Sequence, residues 1–238
     1  MTVIAADTPE KTISERAYRM IRAEIVSGDL APGAKLKIEM LRQRYDMGAA
    51  PLREALSRLS GDRLVLLSGQ RGFVVAPISA KEAADIGNLR KILEIEAIRQ
   101  SIPLGDTAWE ERLITTFHRL SRLEEGEDQG IDTLDEWEKQ NAAFHGAIVA
   151  ACPSDVLLQI RAQLFAQHER YRRFSRIKTV RNRAIHDEHD RLFEAALARD
   201  VDTAVEVTGL HIERTTAAVV AALEGEAPAA GQGAPQPA

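Results

Sequence analysis

From Ser79 to Leu223 no alternating strand pattern interrupts a succession of apolar residues at helical spacing. That confines the stretch to helix packed on helix, because stripes of this period bury themselves against one another. Six helices are predicted, over about 80–101, 107–125, 132–151, 154–176, 180–199 and 201–223. The breaks fall at Pro103-Leu-Gly105, Gly126–Gly130, Pro153 and Asp200. Pro77-Ile-Ser79 is the expected linker into this bundle, with Ser79 placed to cap the first of its helices.

The N-terminal part has a different grammar. Ile13, Ala17, Met20, Ile21 and Ile25 recur at helical spacing as far as Ser27-Gly28, and Leu30-Ala-Pro-Gly-Ala-Lys-Leu36 is a Pro-Gly turn between apolar anchors. A short helix over about 38–45 precedes one starting near Pro51, a residue suited to a first helical turn. Leu52, Ala55, Leu56 and Leu59 give that helix an inward stripe. Leu64–Leu67 and Phe73–Ala76 then flank the glycine-containing turn Ser68-Gly-Gln-Arg-Gly72, as a hairpin requires. The predicted fold is therefore mainly α. A winged helix-turn-helix at 11–76 follows a flexible arm at 1–10. A 77–79 linker leads to a six-helix antiparallel bundle at 80–223, and a disordered Ala/Gly/Pro/Gln-rich tail fills 224–238.

Net charge decides between partners. The chain carries −5 overall, which argues against a DNA-packing protein, but residues 1–78 sum to +3 and the remainder to −8. Within 35–71 there are 8 basic and 4 acidic residues, so phosphate contact is expected there. The single cysteine, Cys152, excludes an internal disulfide and a Cys-rich zinc site, and its apolar surroundings suggest a buried, inert thiol. With no signal-like start and no membrane-length apolar run, a cytoplasmic location without membrane contact is expected.

A recognition helix needs an apolar inner stripe and polar side chains facing outward near its start. Arg53 and Ser57 stand outward on the Pro51–Leu59 helix, and Glu54 is left to orient a neighbour or to face its own helix. Gln70, Arg71 and Gly72 form the wing tip, where an Arg and a closely approaching backbone suit phosphate or minor-groove contact. One such module reads few bases, so a homodimer on a pseudo-palindromic double-stranded operator is expected.

Three histidines fall on apolar stripes of the bundle. His145 shares a face with Asn141, Phe144, Ile148 and Val149; His189 lines up with Leu192, Phe193, Ala196 and Leu197; His211 lines up with Val207 and Leu210. A buried ring without a partner costs about 1–3 kcal/mol, so each needs a bond or a ligand. Three nitrogens and the neutral oxygen of Asn141 suit a divalent transition metal, zinc or nickel, better than calcium. The alternative is a metal-free pocket in which protonatable histidines and Arg90 hold an acidic effector. Arg90 and Glu94, four apart, also suit an intrahelical ion pair of about 0.2–0.5 kcal/mol. Arg172, Arg173 and Arg176 are expected on a solvated basic face, His118, His168 and His186 in structural roles, and Trp109 and Trp137 in packing.

Leu30-x-Pro-Gly-x-x-Leu36, Pro51-Leu-Arg-Glu-Ala-Leu56, Leu64-Val65 and Arg71-Gly72-Phe73-x-Val75 together resemble the GntR family of bacterial regulators. The bundle resembles that family's FadR-type domain. Its six helices, rather than seven, resemble the VanR-like subgroup. Asp135-Glu-Trp137, Phe144-His-x-Ala-Ile-Val149 and Ala195-Ala-Leu-Ala-Arg-Asp200 resemble the carbon-starvation-induced regulators within it. The resemblance implies a repressor whose bundle dimerises and senses a small carboxylate. It also implies a metal held by Asp-x-x-x-His and two later histidines, with an Arg at position 90 facing the pocket beside Glu94. Here Asn141 stands where that carboxylate is expected, which should weaken metal binding. Gly48-Ala49-Ala50 stand where the family has a Ser-Arg-Thr-like triplet, so no side chain there reads a base or caps the helix, and Arg42, Arg44 and Arg53 carry more of the DNA contact. The chain is read as a regulator and not an enzyme; the competing function is a metal-dependent enzyme fused to a DNA-binding module, for which no motif fixes a general base and Glu94 or Glu188 are the candidates.

Overall fold

The computed structural model describes residues 12–69, 72–126, 131–179 and 185–225. The expected arm at 1–10, the wing-tip residues Gln70 and Arg71, the Arg176 side chain and tail residues 226–238 lie outside the described residues. Two compact units divide at Ile78–Ser79.

In the first unit, α1 (Ile13–Ser27) begins where the Thr12 hydroxyl accepts the Glu15 N–H and ends at Gly28, whose φ of 94° favours glycine. Asp46, at φ 50°, closes α2 (Ile38–Tyr45) and turns the chain within three residues into α3 (Ala49–Gly61). Strands β1 (Val65–Ser68) and β2 (Gly72–Val75) pair antiparallel in the register Val65↔Val75 to Ser68↔Gly72. A Cβ on Gly72 would stand 2.5 Å from the Ser68 carbonyl oxygen, so this hairpin position needs glycine. The Pro-Gly turn is pinned to the wing: Gly33 N–H donates to Val75 O and Leu36 N–H to Phe73 O. Ile21, Leu41, Leu52, Leu56, Leu59 and Val75 are fully buried, so the predicted stripes of all three helices and the hairpin share one core. The mainly α fold, with a winged helix-turn-helix and a helical bundle, is as the sequence predicts.

The second unit holds α4 (Ala80–Ser101), α5 (Thr107–Glu124), α6 (Ile131–Ile148), α7 (Asp155–Thr179), α8 (Ile185–Leu197) and α9 (Val201–Glu224). Ser79, Asp106 and Asp200 accept the third N–H of their helices, which fixes three helix starts. α4 runs antiparallel to α7, since Glu82 bonds Tyr171 at one end and Glu94 bonds Arg161 at the other. It also packs closely on α9 because Gly87 has no side chain, and the Thr216 hydroxyl occupies the space of its missing Cβ. α6 stops at Ile148, earlier than the predicted 151, because that carbonyl accepts from Ser101 and from the Trp109 indole. None of the described helices is long and apolar enough to cross a membrane.

Candidate functional site

On the first unit, α3 presents the side chains expected of a reading helix. Leu52, Ala55, Leu56 and Leu59 are buried while Arg53 and Ser57 are exposed. Arg53 makes no hydrogen bond or ion pair with the described residues, whereas its neighbours are committed: Glu54 accepts the Ser14 hydroxyl at 2.6 Å and Arg58 pairs with Glu15 at 2.7 Å. Arg42 and Arg44 are exposed but paired with Glu39 at 3.0 Å and Glu24 at 2.8 Å. Gly48, the residue before α3, contributes no side-chain cap, so the first N–H groups of the helix are left to solvent or a ligand, next to half-buried Ala49. Gly72 is half-buried at the start of β2.

Inside the bundle, α6, α8 and α9 each turn one histidine to a common point. Ring nitrogens of His145, His189 and His211 all lie within 4.8 Å of one another, and all three residues are buried. Their ring centroids are 5.0–5.3 Å apart. Two of the rings are oriented from behind. His189 Nδ1–H donates to Glu124 at 2.8 Å, and His211 Nδ1–H donates to Glu188 at 2.8 Å. In His189 this leaves the Nε2 lone pair facing inward, and Nε2 of His189 and of His145 have no hydrogen-bond partner. Asn141, 2% exposed and one turn before His145, also has an unpartnered buried Oδ1. Unpaired buried acceptors are costly, and two of these belong to histidines of one cluster. Burial, and then the neighbouring histidines and Arg90, hold His145 well below its usual pKa, so it is neutral. Neutral imidazoles with carboxylates on their far nitrogens are what a divalent metal requires, and these residues fit one.

A buried guanidinium cluster adjoins the histidines. Phe165 lies beside His145, with ring centroids 6.0 Å apart, and carries Arg90 over its face at 4.4 Å, with Arg161 and Arg172 nearby. Arg161 takes Glu94 in a two-point pair at 2.6 and 3.0 Å and also donates to the His145 carbonyl. Arg172 takes Glu138 at 2.7 Å. Arg90, 1% exposed, comes no nearer than 3.9 Å to Glu94, and its Nε has no hydrogen-bond partner. Its Nη1 donates instead to His168 Nδ1 at 2.7 Å, and His168 Nε2 faces the Thr216 hydroxyl at 3.3 Å. Burial lowers the Arg90 pKa to about 9, partly offset by Glu94.

Two sequence families match this chain. "Bacterial regulatory proteins, gntR family" matches residues 13–75, and "FCD domain" matches residues 85–214, more than half of the chain. The chain belongs to the GntR family. Among its relatives, the uncharacterized HTH-type transcriptional regulator BphR of Paraburkholderia xenovorans strain LB400 is 39% identical over 88% of this chain and 86% of its own. The HTH-type transcriptional repressor GlaR of Escherichia coli strain K12 is 39% identical over 82% of this chain and 90% of its own. The solved structure of E. coli McbR/YncC superposes with a TM-score of 0.74 at 18% identity, over 87% of this chain and 97% of that one, which shows shared fold.

Within this GntR-family regulator some expectations need correction. The family is one of DNA-binding regulators, not enzymes, so Glu94 and Glu188 are not general bases. Glu94 holds Arg161, and Glu188 holds His211 and Arg214. Arg172 does not lie on a solvated face: it is 5% exposed, because Glu138 on α6 neutralises it and Phe165 covers it. Arg173 is mostly covered too, between Asp135 and Glu169. Arg90 and Glu94 are at most a loose ion pair, since Arg161 occupies the carboxylate. His118 is exposed, and His186 is a half-covered partner of Glu124. Sequence reasoning missed Glu124, Arg161 and Glu138 altogether. Glu124 and His189 are 65 residues apart, with no spacing signal to connect them.

Proposed function

We propose that this chain is a ligand-responsive transcription regulator, acting as a repressor, whose bundle senses a small carboxylate metabolite through a bound divalent metal, zinc or nickel. The observation that carries this reading is the convergence of buried His145, His189 and His211, with Nε2 of the first two unpartnered and the unpartnered Asn141 Oδ1 one helical turn from His145. The ring nitrogens and the amide oxygen would hold the cation, which would supply open coordination positions to a carboxylate oxygen. Arg90 and Phe165 would orient the rest of the ligand, and Glu94 would keep Arg161 away from it. Repression is supported by the relative GlaR, described as a repressor. On DNA, Arg53, Ser57, Gly48, Ala49, Arg42 and Arg44 would face the operator together with wing residues Gln70, Arg71 and Gly72, from each protomer of a homodimer. Occupancy would act by favouring one of two DNA-binding arrangements.

The test is operator retention by the purified protein, measured with chelator, with zinc or nickel alone, and with metal plus a panel of small carboxylates. Sedimentation of the same samples checks the dimer. Release of operator by metal with one carboxylate is the expected result. A metal-loaded dimer whose operator affinity no carboxylate changes would overturn the sensing role.

A further inference from the structure

The donor set around the three histidines carries no negative charge. His145, His189 and His211 offer neutral imidazole nitrogens, and Asn141 offers an amide oxygen. The carboxylates nearby are committed elsewhere. Glu94 and Glu138 neutralise Arg161 and Arg172, while Glu124 and Glu188 sit behind His189 and His211, a ring's width from the inward-facing nitrogens. Phe165, whose ring centroid is 6.0 Å from that of His145, also carries the buried cation Arg90 at 4.4 Å, and Arg90 has only a distant carboxylate. A dication placed among these donors meets a like charge and no anionic ligand in a medium where charges are weakly screened.

An anion between the two cations removes that penalty. We infer that Asn141 makes metal uptake conditional on a carboxylate: the metal and a small carboxylate bind this site with positive linkage, each tightening the other. The inference rests on the functional reading above and adds to it the order of events. The metal is then part of the signal, because its occupancy rises with the metabolite instead of being fixed beforehand. Reciprocity of binding free energies requires that the carboxylate be held equally more tightly by the metal-loaded protein. An aspartate at 141 would supply the missing charge from within and sever the dependence.

The experiment uses the full chain, stripped of metal, at fixed pH and ionic strength. Zinc affinity is measured by competition with a chromophoric chelator, in sodium acetate and in sodium chloride containing acetamide, the neutral counterpart. In acetate the wild-type affinity should tighten by about tenfold or more, in the range usual for coupled sites. Asn141→Asp should bind zinc tightly in both media, with acetate changing its affinity by less than about twofold, while Asn141→Ala keeps the dependence with weaker binding overall. If wild type binds zinc equally well with and without acetate, the linkage is wrong and the metal site stands. If Asn141→Asp keeps the full acetate effect, the charge at 141 is not its source. If none of the variants takes up zinc in either medium, the linkage and the metal reading fall together.

Discussion

Glu124, in the last turn of α5, accepts the Nδ1–H of His189 on α8 at 2.8 Å while its other oxygen meets His186 at 3.2 Å. Burial raises the pKa of this carboxylate, but bonds from His189, His186 and Trp137 outweigh it and the net shift is downward. An ionised Glu124 fixes the His189 tautomer and makes Nε2 a stronger donor. Glu124→Gln keeps the shape and removes the charge. Zinc affinity of that variant should fall by about 10- to 100-fold, with far-ultraviolet circular dichroism unchanged. Unaltered affinity would show that His189 is not held for a metal.

The stability of the metal-free protein should fall as the solution becomes acidic. His145 and His168 are both pushed well below the usual imidazole pKa, by burial first and then by neighbouring positive charge. The unfolded chain therefore takes up protons before the folded one does as pH drops past about 6.5. Their contribution is complete above that value and is lost below it, with each group adding at most about 1.4 kcal/mol per pH unit. His186 works the other way. Burial lowers its pKa, but Glu124 and Asp190 raise it overall, so its small contribution is lost as pH rises. Urea unfolding in chelator between pH 7.5 and 5.5 checks the slope; a flat profile would contradict the buried neutral state of both rings.

How much of this was legible in the sequence depended on the distance over which partners act. The Pro-Gly turn, the Leu52–Leu59 stripe and the glycine-bounded hairpin are local signals, and they gave the winged unit its order. Asn141 and His145 share a helical face by spacing alone, and His189 and His211 follow from the stripes of their own helices. The residues that tune the site are another matter. Arg172 belongs to a run of arginines that looks solvated until Glu138, 34 residues away, comes against it. Glu124, Arg161 and Glu138 carry no pattern of their own, because their roles exist only once α5, α6 and α7 are packed.

Gly87 lies in the middle of α4, where glycine costs helix stability. Its reason is contact: a Cβ there would lie 2.2 Å from the Thr216 hydroxyl, itself bonded to Ile212 O and facing His168. Gly87→Ala should therefore destabilise the bundle by about 1–3 kcal/mol, despite alanine's better helix propensity. Adding Thr216→Ser, which removes only the methyl at 2.6 Å, should recover little, since the hydroxyl remains the nearer obstacle. Chemical denaturation of both variants checks the prediction, and a stabilised Gly87→Ala would mean that α4 and α9 are not so closely packed.

The reading of DNA through Arg53 follows from which cations are free. Arg42, Arg44 and Arg58 each hold a carboxylate, whereas exposed Arg53 on α3 forms no ion pair with the described residues and needs to break none to reach a base. With Ala49 and Ala50 ahead of Pro51 there is no other long polar side chain at the start of that helix. Arg53→Ala should cost about 1–3 kcal/mol on the operator and much less on scrambled DNA, because a guanine-edge contact is specific. Arg71→Ala, at the wing position read from the sequence as a phosphate contact, should weaken both DNAs alike and lower the salt dependence by about one unit. Titrations of each variant against both DNAs at several salt concentrations separate the two effects. Equal losses on operator and scrambled DNA for Arg53→Ala would make it a backbone contact and move base reading elsewhere on the winged unit.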